Sequence, residues 1–192
     1  MKNNLFLTLI ITLLSLGTTL AQDFYHSAGV GLSSIMYNQE YTTPLTHSSY
    51  SGSTATPGFV YNPTLSFEIN RKMSFNLAAY PMLGFSVNSR EGSSFGIELP
   101  VAGELFFGDM DDIGGFIGAG FAFGSSADDY WSGSILGPQL SAGGQLEIQG
   151  SVIKGRIGYT IGLNESPEES GIVYTTDKRN MLSLSLLYPL GQ

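Results

Sequence analysis

Four carboxylates and two cations stand at alternate positions within otherwise apolar stretches of this 192-residue chain: Glu68, Glu98, Glu104 and Glu147, with Lys154 and Arg156. Such a set could line an ion path, fill a polar interior, or supply paired carboxylates for general acid–base work. Catalysis also needs a nucleophile or a metal. The chain has no cysteine and only two histidines, His26 and His47, too far apart for metal-ligand spacing. Asp128 and Asp129, with His47 on another loop, are acids and a base without a partner that fixes them, so they read as solvated loop residues. The glycines at 115, 118, 120 and 124 suggest a phosphate loop, but no helix follows them. No catalytic, cofactor-binding or metal-binding residue is expected, and the chain is not read as an enzyme.

The elements that carry these charges are strands. From Phe59 to Val87 apolar residues alternate with polar ones on both sides of a corner at Asn70–Lys72. Period-2 alternation of this kind puts every second side chain on one face of a strand. A three-residue corner would pair Ile69 with Met73, Phe67 with Phe75 and Leu65 with Leu77. Phe24–Met36, Phe95–Phe107, Gly115–Phe123, Ile135–Gln149, Val152–Leu163 and Asn180–Leu190 alternate in the same way. With the two arms of the central hairpin this predicts eight antiparallel strands. Polar, period-free stretches over Tyr37–Pro57, Asn88–Ser94, Ser125–Ser134 and Asn164–Arg179 read as loops on one end, and the remaining connections are mostly shorter turns. Each arm can supply the roughly 9–11 tilted residues that cross a bilayer.

Composition agrees with a lipid-facing outer surface. Only 12% of residues are charged, against roughly 25% in ordinary soluble domains. The net charge of −8 leaves no basic face for phosphates, so nucleic acid is not an expected partner. Residues 1–21 read as a signal peptide: Lys2, an apolar run from Leu5 to Leu16, and Thr19-Leu20-Ala21 before the cut. Residues 22–192 form one domain, with no apolar run long enough for a transmembrane helix.

Stretches such as GIELPVAGELFFG (Gly96–Gly108) and GGFIGAGFAFG (Gly114–Gly124), within eight alternating strands and alternating loop lengths, resemble the small eight-stranded outer-membrane β-barrels of Gram-negative bacteria, the OmpA/OmpX type. The resemblance covers residues 22–192. It implies an all-β, eight-stranded antiparallel up-and-down transmembrane β-barrel in the cell outer membrane, with outer-membrane lipid and the barrel assembly machinery as partners. The family's last strand commonly ends on an aromatic residue, and here Tyr188 stands nearest that position.

Eight strands enclose an interior that side chains can fill. A two-residue turn at Gly150-Ser151 would set Glu147 opposite Lys154 and Gln145 opposite Arg156, with Glu68 and Glu104 at a similar depth. Glu68, Glu98, Glu104, Glu147, Lys154 and Arg156 are therefore expected to form a lumen charge network, plugged further by Tyr80, Met82 and Phe106. Tyr25, Tyr61, Tyr159 and Tyr188 are candidates for interfacial girdles. On the outer loops Tyr41, Tyr50, Asp128, Asp129, Tyr130 and Trp131 could meet an extracellular or envelope protein or glycan. The expected role is structural or interactive, presenting surface loops from a filled barrel; a narrow pore for ions or small solutes is the alternative.

Overall fold

A computed structural model describes residues 23–43, 45–88, 92–108, 113–127, 132–148, 150–163, 168–170 and 173–190. The expected signal peptide and its cut after Ala21 lie outside these residues, as do Asp128, Asp129, Tyr130 and Trp131. The strands are β1 (Asp23–Thr42), β2 (His47–Asn70), β3 (Met73–Ala79), β4 (Met82–Asn88), β5 (Gly92–Gly108), β6 (Gly114–Ala127), β7 (Ser132–Ile148), β8 (Ser151–Ile161), β9 (Glu168–Ser170) and β10 (Val173–Pro189). Each pairs antiparallel with its neighbours, and β1 pairs with both β2 and β10, which closes the sheet on itself.

The wall has eight strands because β3 and β4 are two halves of one, and β9 is a short addition to β10. Val60 pairs with Met82 and Thr64 with Ala78 in one continuous register. Between the halves stands Pro81, which has no N–H to give to the ladder. The neighbouring donors keep the strand in place: Tyr61 N–H reaches the Pro81 carbonyl at 3.0 Å and Tyr80 N–H the Pro100 carbonyl at 2.9 Å.

Paired residues trace the ring from Tyr25 through Thr64, Ala78, Ala102, Gly120, Gln139, Thr160 and Met181 back to β1 at Ile35. The stagger from position 25 to 35 fixes a strand tilt of about 40°. It also fixes diameter, and so the room inside.

The apolar face is outside. Phe59 is 78% exposed and Leu140 67%, and Val30, Leu83, Ile117, Phe121, Ile157 and Leu186 continue the belt. Inward positions carry Asn62, Asn76, Glu98, Glu104, Gln139, Arg156 and Thr160, all buried. A water-soluble ligand-binding barrel would have these faces reversed, and this one does not. Leu65, expected on the outer face, is nonetheless buried.

The structure corrects several sequence boundaries. Tyr37–Pro57 is not a loop: β1 and β2 run on as a long hairpin, with Thr42 opposite His47. Serine, threonine and tyrosine have no hydrophobic alternation to read, yet they suit a pleated ladder. Likewise β10 begins at Val173, inside the stretch expected to be a loop. At the Asn70 corner the register shifts between Glu68 and Asn70, so Asn70, not Ile69, faces Met73. The β7–β8 turn is set one residue earlier than expected, which shifts every partner by two: Ile148 stands opposite Ser151, and Gly150 has a φ of 81°, which glycine adopts without strain.

Candidate functional site: a charged cluster inside the barrel

The inward side chains form layers between the terminal end, where β1 begins and β10 finishes, and the hairpin end. In the half of the lumen toward the terminal end, Glu104 (β5) is fully buried and is the hub. Tyr80 donates its phenol proton to Glu104 at 2.5 Å. Lys154 (β8) donates to the Tyr80 oxygen at 2.7 Å and to the second Glu104 oxygen at 3.3 Å. Arg156, two residues along β8, lies with its guanidinium 4.0 Å from the Tyr80 ring centroid and its Nε 3.9 Å from Glu104. Its Nη2 donates to Gln139 on β7, and Gln139 in turn donates to Thr160 at 2.9 Å.

Long side chains fit here because the wall beside them is bare. A Cβ at Gly118 would stand 2.7 Å from Ser141 Oγ and 2.9 Å from Glu104 Cγ. One at Gly158 would stand 2.8 Å from Ser183 Oγ and 3.0 Å from an Arg156 nitrogen. Of the glycines that superficially suggested a phosphate loop, Gly118 makes room for the buried ion cluster, and Gly124 for Met181 and Ile135.

Beyond Tyr80 lies Glu98, 2% exposed, with neither carboxylate oxygen in a direct hydrogen bond among the described residues. A cavity of about 10 Å³ touches Glu98, Arg156, Ser183 and Ser185, which is the room of about one water. On the hairpin side an apolar plug of Ile35, Ala122, Ile135 and Met181 closes the lumen. A second apolar group, Val60, Ala78, Tyr80, Met82 and Leu187, packs beside the ion cluster.

Of the expected charge network, the structure brings together Glu104, Lys154 and Arg156, with Glu98 in the next layer. Glu68 and Glu147 stand apart from it, both exposed at the rim. The registers explain both corrections. Glu104 pairs with Asn76 and Asn76 with Ser66, so Glu68 lies one inward position nearer the terminal end. Gln145, not Glu147, faces Lys154, because of the earlier β7–β8 turn; Glu147 faces Val152 and Arg156 faces Gly143. Tyr80 and Gln139 are the site members that sequence reading left out of the charge network. The signal for Tyr80 was present: a large aromatic with a polar tip at an inward position needs a partner.

On the outer hairpin Tyr50 and Tyr41 are exposed, and the Tyr41 hydroxyl donates to Gln39 at 2.9 Å. Tyr37 and Tyr50 approach with ring centroids 6.0 Å apart. His47 closes the hairpin through its Nδ1, 3.0 Å from Thr42 Oγ1. Tyr61, Tyr159 and Tyr188 are exposed on the outside, whereas Tyr25 shares the inward alternation with Ser27 and lines the terminal mouth. His26 stacks on Phe24 at 5.8 Å and meets Tyr61 edge-on at 6.3 Å. Among the described residues no group of three histidine, aspartate or glutamate side chains could hold a metal ion.

No family model matches the chain, and no curated protein matches it. Its backbone is similar to that of several solved structures. Neisserial surface protein A (NspA) is 12% identical, with 85% of this chain and 97% of that one covered at a TM-score of 0.43. The outer membrane protein OprG from Pseudomonas aeruginosa is 9% identical, covering 88% and 96% at 0.49. Ail, the attachment invasion locus protein of Yersinia pestis, is 16% identical, covering 84% and 99% at 0.39.

Proposed function

We propose that this chain is an outer-membrane β-barrel of the OmpA/OmpX type whose task is to hold and present its outer hairpins to a protein or glycan partner. The observation that carries the reading is the inversion of the barrel: a continuous apolar exterior around a filled polar interior. Water does not tolerate an exposed apolar belt of this extent, and lipid does. An interior closed by Ile135 and Met181 on one side and by Tyr80 on the other favours a support over a conduit. The β1–β2 hairpin, with Tyr37, Tyr41 and Tyr50, supplies the presenting surface. Tyr188, exposed on the closing strand, is the residue offered to the assembly machinery.

The test is an outer-membrane fraction run on an unboiled and a boiled gel, followed by planar-bilayer recording of the folded protein. A mobility shift with a silent bilayer supports the reading. A protein recovered in the soluble fraction without a shift would overturn it.

A narrow pore is the second reading, favoured by the polar side chains stacked from Lys154 through Arg156 and Gln139 to Glu98. It requires small, salt-sensitive conductance steps from the unmutated barrel.

A further inference from the structure

At the terminal end the lumen opens into a cup of about 300 Å³, the lower end of the size range of small-molecule sites. Its inner end is closed by the Tyr80–Glu104–Lys154 cluster. Glu104 is the one carboxylate in that layer and ion-pairs with both Lys154 and Arg156. Glu98 lies on the far side of Tyr80: it pairs with Met82, whereas Glu104 pairs with Asn76. Lys154 lines the cup and brings an ammonium to its inner end. An ammonium has three donors; Lys154 gives one to Tyr80 and one to Glu104, and its Nζ sits 4.6 Å from the Phe116 ring centroid.

Among the described residues the walls carry no carboxylate. Asn62 is committed, its oxygen accepting from Ser27 and Thr64 and its amide donating to the Ala79 carbonyl. Asn76 and Gln145 add neutral amides, and Phe106, Val152 and Leu187 add apolar surface. His26, at the mouth, is stacked on Phe24. An occupant matched to these walls has an anionic head at the inner end and a short apolar body toward the mouth.

We infer that this cup is a binding site for a small monocarboxylate with an apolar tail, its carboxylate taking the remaining donor of Lys154. The site is separate from the outer hairpins and does not depend on what they bind.

The probe is benzoate, titrated into the folded mature barrel in an uncharged maltoside micelle, with backbone amides followed by NMR. The expected result is saturable shifts at Ser27, Asn76 and Gln145, little change at Ile35 and Ala122, and at least about tenfold weaker binding of the uncharged isostere benzamide. Lys154→Met should remove the preference for benzoate over benzamide. Val152→Phe, which fills the cup without touching the ion cluster, should weaken benzoate about tenfold while the gel-mobility shift stays. Absence of saturable shifts, equal binding of benzamide, shifts confined to outward residues, or undiminished binding by Val152→Phe would each overturn the inference.

Discussion

Tyr80 and Glu104, 24 residues apart in sequence, meet inside the barrel through a 2.5 Å hydrogen bond from phenol to carboxylate. The same phenol oxygen accepts from Lys154, so one hydroxyl joins an acid on β5 to a base on β8 across the lumen. Removing it should be felt by all three residues. Tyr80→Phe is expected to lower unfolding free energy by about 1–3 kcal/mol, since it strips a partner from two buried charged groups. Urea unfolding of the barrel in lipid vesicles measures this. No loss of stability would mean that the phenol is incidental to the cluster.

The two buried carboxylates should respond differently to neutralisation. Glu104→Gln leaves Lys154 and Arg156 without their anion, and breaking such a buried pair costs about 3–5 kcal/mol. Glu98 lies beyond Tyr80 and makes no ion pair with Lys154, so Glu98→Gln should cost less than Glu104→Gln. The order of the two unfolding midpoints decides the matter. If Glu98→Gln proved the more damaging, the assignment of Glu104 as the hub would be wrong.

Glycines on the wall can be tested in the same assay. Gly118→Ala pushes a methyl against Ser141 and Glu104, and overpacking of that kind costs about 1–3 kcal/mol. Gly155→Ala, whose nearest contact for an added Cβ is 4.0 Å away, should be neutral to within about 0.5 kcal/mol. Equal effects would show that the bare wall serves some purpose other than clearance for Glu104.

The plugs make a prediction about conductance. The unmutated protein should be silent in a planar bilayer. Combining Ile135→Ala, Met181→Ala and Tyr80→Ala removes large side chains from both plugs, and this variant should conduct, provided its gel-mobility shift survives. Steps of equal size from both proteins would favour the pore reading instead.

Much of the wall was readable from alternation. Phe67 opposite Phe75 and Leu65 opposite Leu77 follow from the pattern around the Asn70 corner, and both pairs occur. The eight-strand count followed as well, because an apolar face repeated that often needs closure to avoid an edge. Alternation failed where the chain leaves apolar surroundings. The β1–β2 hairpin has Ser, Thr, Tyr and Asn on both faces, so backbone pairing alone makes it, and the start of β10 is a strand through its pairing with β1.

The sequence by itself determined which residues face inward and which outward, since strand geometry leaves only two choices at each position. Glu98, Glu104, Lys154 and Arg156 are inward by parity alone. Depth is another matter. It depends on turn register and on the stagger accumulated around the closed ring, and moving one turn by a single residue shifts the pairing by two, which carries a side chain from cluster to rim without altering its face. That is how Glu147 left the network; Glu68 kept its partner Ser74 but lies one inward position off the level of Glu104, which gathered both cations. Only closure of the barrel decided which charges would meet, because each strand's height is set by all the others.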